Sequence, residues 1–189
     1  QAMARAQETL ASTGDPQLCD LILDRACYEE LTLAAQASGS EFIQGYVKLL
    51  IDAVNLRSAV RCARLGKEAD FLSRALLPGG NVETGALAAA RGEELGELFR
   101  SGLLAEAAQA GAAVSAPGSG PLTEFENLCD DAVTAYLAAA RRIPFGEQTV
   151  VGYLYAREAE LTAIRTILNG RLAGLDGSVI RQRLREPYA

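Results

Sequence analysis

The chain has 189 residues, a formal net charge of −6, 49% hydrophobic and 22% charged residues, and no histidine. That balance fits a folded globular chain rather than a disordered one and argues against a protein devoted to a nucleic-acid backbone, which needs a basic excess. Without histidine the commonest general base and the commonest metal ligand are both missing.

In chain order the sequence reads as helix almost throughout, with abundant Ala and Leu, no β-branched alternation, and Gly and Pro at helix-end spacing. Asp15-Pro16 marks a break, and a helix is expected from near Asp20 to Ala37, ending at Ser38-Gly39. Ser40 can cap the next helix by accepting a first-turn backbone N–H. That helix, Glu41 to about Leu65, carries apolar residues around most of its circumference, which predicts enclosure by neighbours. Lys48, Asp52 and Asn55 share one stripe of it, with Arg57, Arg61 and Arg64 on roughly the opposite one. Buried polar groups there must be hydrogen-bonded, so Asp52 and Asn55 are expected to tie into helix caps or nearby basic groups.

Leu76-Leu77-Pro78-Gly79-Gly80 ends a short helix in a turn. Three short helical pieces separated by Gly85, Gly92 and Gly102 follow. The Ala/Gly/Ser/Pro-rich stretch from about Ala110 to Pro121 reads as a flexible loop. Thr123 is expected to cap a helix over Glu124–Arg142, which Ile143-Pro144 breaks. A last long helix, Glu147 to about Asn169, would extend roughly 35 Å, with Gly170 as its cap. On it Glu158, Thr162 and Arg165 share a face. The longest apolar run is interrupted by Asp52 and falls short of a membrane span, so direct membrane insertion is not expected. No signal peptide is visible. The chain opens on Gln1, so its start is read as that of a fragment or a trimmed chain.

A pattern occurs twice: Ala59-Val60-Arg61, four residues, Gly66-Lys67, and Ala163-Ile164-Arg165, four residues, Gly170-Arg171. Self-similarity at such a period predicts one helical unit duplicated and stacked. The four cysteines, Cys19, Cys27, Cys62 and Cys129, form no CxxC pair and read as small buried apolar residues in a reducing, cytoplasmic setting. Asp130-Asp131 has no second acidic motif, and two adjacent carboxylates point to different helix faces, so solvation or local pairing is the expectation. Gly118-Ser119-Gly120 reads as linker, since no strand precedes it and no Lys-Ser follows. Glu158 with Arg165, and Asp52 with Arg61 or Arg64, read as a structural polar network, with interface contact as the other use. Arg171, Arg181, Arg183 and Arg185 form a basic stretch that reads as a solvated face, with contact to an acidic partner next. No credible nucleophile stands out, and no cofactor, metal or small-molecule substrate is expected.

Several strings together carry a resemblance: Asp24-Arg25 with Tyr28 and Leu31; Gly39-Ser40-Glu41-Phe42; Ile51-Asp52-Ala53-Val54-Asn55-Leu56-Arg57; Leu77-Pro78-Gly79-Gly80; Pro144-Phe145-Gly146-Glu147; and Tyr153 to Leu161 with Ile164-Arg165. Their order resembles the C-type subunits of the archaeal/vacuolar-type (A/V-type) rotary ATPases and ATP synthases, whose counterpart in the vacuolar pump is the d-type subunit. The resemblance implies an all-α fold of repeated, pseudo-symmetric blocks forming a funnel. It implies a non-catalytic socket in the central stalk, between the shaft subunits and the membrane proteolipid ring, peripheral to the membrane on its cytoplasmic face, serving proton or other ion transport. Residues 1–117 would be the family's second block and 118–189 its third, the first being absent. An exposed apolar surface and self-association would follow. A stand-alone helical adaptor or scaffold is the alternative.

Overall fold

The computed structural model describes residues 1–185. Among them are ten α-helices, one 3₁₀ turn and no strand, an all-α fold as expected. The chain divides into two compact units, 1–90 and 91–189. The expected boundary at 117/118 is displaced because the stretch after 104 is not a linker: its alanines fold into a helix and join the second unit's core.

In the first unit, α1 (Ala2–Thr13) packs on α2 (Pro16–Ala37), and α2 on α3 (Glu41–Arg64). The sequence sets the junctions. Asp15 caps α2 by accepting from the Gln17 N–H at 2.9 Å, and Pro16 opens it, because its missing N–H would be unbonded there anyway. Ser40 caps α3 by accepting from the Ile43 N–H. The Cys19 thiol donates to the Ala6 carbonyl at 3.1 Å and joins α1 to α2. α3 is enclosed, with ten buried residues between Val47 and Cys62. Ala35, Val47, Ile51 and Leu77 form a core cluster on which Tyr28, Ile43, Tyr46 and Val54 pack. Two short helices complete the unit, α4 (Ala69–Ala75) and α5 (Thr84–Ala89). Gly85 lies inside α5 rather than between pieces; Glu83, which caps Ala86 N–H, starts the helix ahead of it.

The second unit contains α6 (Glu93–Leu98), α7 (Ala105–Val114), α8 (Thr123–Ala138), a 3₁₀ turn (Ala139–Arg142), α9 (Glu147–Leu172) and α10 (Gly177–Gln182). The expected loop from Ala110 shortens accordingly: α7 runs to Val114, and Ala107, Ala108 and Gly111 are buried, small enough to let helices approach closely. Leu104, Phe125, Cys129 and Leu137 are among the core residues of this unit. Thr123 does not cap α8 by its side chain; it is the first helical residue, after Leu122. The helix tightens to 3₁₀ geometry over Ala139–Arg142, where Ile143 turns extended ahead of Pro144. No helix among the described residues is long and apolar enough to cross a membrane.

Candidate functional site

The densest buried polar arrangement is a clasp on the segment that leaves α4. Asn55 and Asp52, one helical turn apart on α3, are both buried. The Asn55 side chain treats Leu77 as a strand would: the Leu77 N–H donates to Oδ1 at 2.8 Å, and Nδ2 donates to the Leu77 carbonyl at 2.8 Å. Asp52 accepts from the Asn81 N–H at 3.0 Å, the Asn81 side-chain amide at 2.8 Å and the Val82 N–H at 3.1 Å. From α2, Arg25 donates to the carbonyls of Arg74 and Leu76. Three side chains thus satisfy a non-helical main chain that would otherwise be buried unbonded.

Two glycines make the clasp possible. Gly79 has φ of 101°, a backbone region costly for any side chain. At Gly80 the obstacle is contact: a Cβ there would lie 2.1 Å from Asp52 Oδ1. The Leu-Pro-Gly-Gly string is therefore matched to the carboxylate beneath it. The buried oxygens of Asp52 take their hydrogen bonds from main-chain N–H groups and an amide, instead of from Arg61 or Arg64 as the residue pattern suggested. No buried side-chain nitrogen or oxygen among the described residues lacks a partner.

The remaining expected residues are dispersed. Arg61 is exposed on α3. Glu158 and Arg165 are exposed on α9, with no ion pair joining them among the described residues, so the expected network does not extend to that helix. The reason is burial: in α9 only Gly152 and Gly170 are buried, so no neighbour forces its polar groups together. Arg171, Arg181 and Arg183 are exposed. Arg185 is tied within the chain to Asp130 and Asn127, which also accounts for one of the two adjacent aspartates. Cys27 is exposed, unlike the other three cysteines, which are buried as expected.

The duplicated pattern is real in outline, but setting Gly66 on Gly170 misaligns it. Gly66, with φ of 62°, ends α3 with its N–H bonded to the Ala63 carbonyl, while the Lys67 N–H reaches Cys62 O. The residue with the same geometry after α9 is Gly174, φ 69°, with Leu175 N–H on Gly170 O. Gly170 is inside the helix, not its cap; a Cβ there would sit 2.7 Å from Ile180 Cγ1. Placing Gly66 on Gly174 aligns α4 with α10, and Leu72 with Ile180, both buried. Arg57 then matches Arg165, Asp52 matches Glu160, and Asn55 matches Ala163. The clasp residues of α3 are therefore not repeated in full on α9.

Tyr155 of α9 and Thr134 of α8 share a hydrogen bond at 2.8 Å; since Thr134 also donates to Asp130 O, the phenol is the donor. Burial pushes the Tyr155 phenol above its ordinary value, partly offset by this bond. Tyr28, which packs against the first unit's core, is likewise raised, chiefly by burial and then by nearby Asp24. The sequence pattern did not single out Tyr155, Asn81 or Arg25 as bonding partners. Only the Arg25 and Asn81 positions beside recognisable strings hinted at them.

Residues 1–183 match the family described as ATP synthase (C/AC39) subunit. The chain is 30% identical to the C-type subunit of the A-type ATP synthase of Haloferax volcanii, covering 96% of this chain and 53% of the relative. It therefore spans about half the length of that curated relative. No solved structure matches. With the family matched over nearly all its residues, the chain belongs to the ATP synthase (C/AC39) subunit family.

Proposed function

We propose that this chain is a non-catalytic part of the central stalk of an A/V-type rotary ATPase, a socket between the rotating shaft and the membrane proteolipid ring, on the cytoplasmic side. The observation that carries the reading is the family match over residues 1–183. The first and second compact units would correspond to the family's second and third blocks. A torque coupler must transmit force without bending, which suits enclosed helices packed at high density. The clasp suits it too, because it fixes a buried irregular segment to α2 and α3 at both ends. Asp52, the buried carboxylate, is occupied by N–H donors instead of standing open to a substrate. No cofactor is needed for such work, and charge complementarity with the partners would set register.

The test is co-purification. The tagged protein, co-expressed with the shaft subunits and proteolipid ring of the same source, is extracted in detergent and its partners are identified. Recovery of ring and shaft together is the expected result. Recovery of neither by a folded protein would overturn the socket and favour a stand-alone helical adaptor.

A further inference from the structure

One helix face in the second unit is left uncovered. Along α9, positions 150, 154, 157, 161, 164 and 168 alternate by four and three, the spacing of a coiled-coil seam. They hold Val150, Leu154, Arg157, Leu161, Ile164 and Leu168, and the five apolar ones are between 45% and 61% exposed. A run of leucines left in water at this spacing fits a second helix lying alongside.

We propose that α9 pairs with α9 of a second copy of this chain as an antiparallel coiled coil. The charge pattern selects both partner and direction. When Leu161 faces Ile164 of the second copy, the flanking positions bring Glu158 beside Arg165 of that copy, and the two-fold axis repeats the pair. The same alignment brings Val151 beside Leu172 and seats Leu168 against Arg157, whose aliphatic stem can cover it while its head stays wet. Arg157 remains free to keep its ion pair with Glu160 on its own helix. A parallel pairing would instead stack Arg157 on Arg157 and Arg171 on Arg171 within the seam, which like-charge repulsion opposes. The surface is thus self-complementary in one direction. This inference does not depend on the rotary-ATPase reading.

Sedimentation of the full chain from micromolar to near-millimolar concentration tests it, with circular dichroism as the check on folding. A reversible monomer–dimer equilibrium is expected, and Leu161→Glu, at an exposed site, should abolish the dimer while leaving helicity unchanged. Glu158→Arg and Arg165→Glu should each weaken it by roughly tenfold, because each turns two attractive pairs repulsive. The two changes together should restore it. In a parallel dimer they would not, since the reversed charge at position 165 would face Glu160 of the other chain. A monomer throughout the range, a dimer indifferent to Leu161→Glu, or a double variant that stays weak would each overturn the proposal.

Discussion

Asn55 and Leu77 close a two-way hydrogen-bonded pair across the first unit, side-chain amide to main chain, with both bonds at 2.8 Å. The pair replaces a strand partner for a residue that has none, and it lets the Leu77 side chain enter the same core as Ile51 and Val47. Hydrogen bonding and apolar packing of the Leu-Pro-Gly-Gly segment are therefore coupled through one side chain.

Replacing that side chain should expose the coupling. Asn55→Leu leaves the Leu77 N–H and carbonyl buried without partners, at a cost of about 1–3 kcal/mol. Urea unfolding of the variant should show a lower midpoint. A variant as stable as the wild type would mean that the segment is held chiefly by Arg25 and Asp52.

Gly80→Ala should destabilise through contact rather than backbone strain. The added methyl would meet Asp52 Oδ1 at 2.1 Å and Ile51 Cγ2 at 3.2 Å, so the clasp has to open. Overpacking of this kind costs about 1–3 kcal/mol. Thermal melting of Gly80→Ala beside Asp52→Ala and the double variant would measure the coupling: with the carboxylate gone, the added methyl should cost much less.

Gly170 and Ile180 make a similar test in the second unit. Ala is a better helix former than Gly by about 1 kcal/mol, yet Gly170→Ala should destabilise because its methyl meets the buried Ile180 at 2.7 Å. Gly170→Ala combined with Ile180→Ala should recover part of that loss. A thermodynamic cycle with no coupling would show that α10 does not pack on α9 in solution.

The raised phenols predict an alkaline limit. A group whose folded pKa exceeds its unfolded one contributes stability that is present below the unfolded value, about 10 for Tyr, and is lost as pH rises through the folded value. Burial raises Tyr28, Tyr136 and Tyr155 in this way. Stability should therefore fall above about pH 10. Tyr155→Phe should be less stable at neutral pH, having lost its bond to Thr134, and should fall less steeply in alkali. Urea midpoints against pH check both halves.

Helix existence was legible residue by residue. Asp15-Pro16, Ser40 and Ile143-Pro144 act locally, through a cap oxygen, a missing N–H or a clash with the next ring, so their effects could be read without knowing what lies nearby. The enclosure of α3 was legible as well, because a helix apolar on nearly every side has to be surrounded. Burial of Asp52 and Asn55 followed from the same pattern.

What the polar groups bond to was not legible. Asp52 meets Asn81 and Val82, and Asn55 meets Leu77, across more than twenty intervening residues, and many arginines were equally available on paper. The two Gly-plus-base strings misled for a related reason: whether Gly ends a helix depends on what packs there. At Gly170 the close approach of Ile180 demands a small residue inside the helix, and the turn moves on to Gly174.

By itself the sequence determined an all-helical chain, its breaks, its most enclosed helix and its family, because these rest on local chemistry and on ordered strings of residues. Only the tertiary structure decided which loop the buried carboxylate and amide hold, where the two units divide, and that α9 keeps an apolar seam in water. Those depend on which surfaces meet, and a one-dimensional pattern fixes that a face is apolar without fixing what covers it.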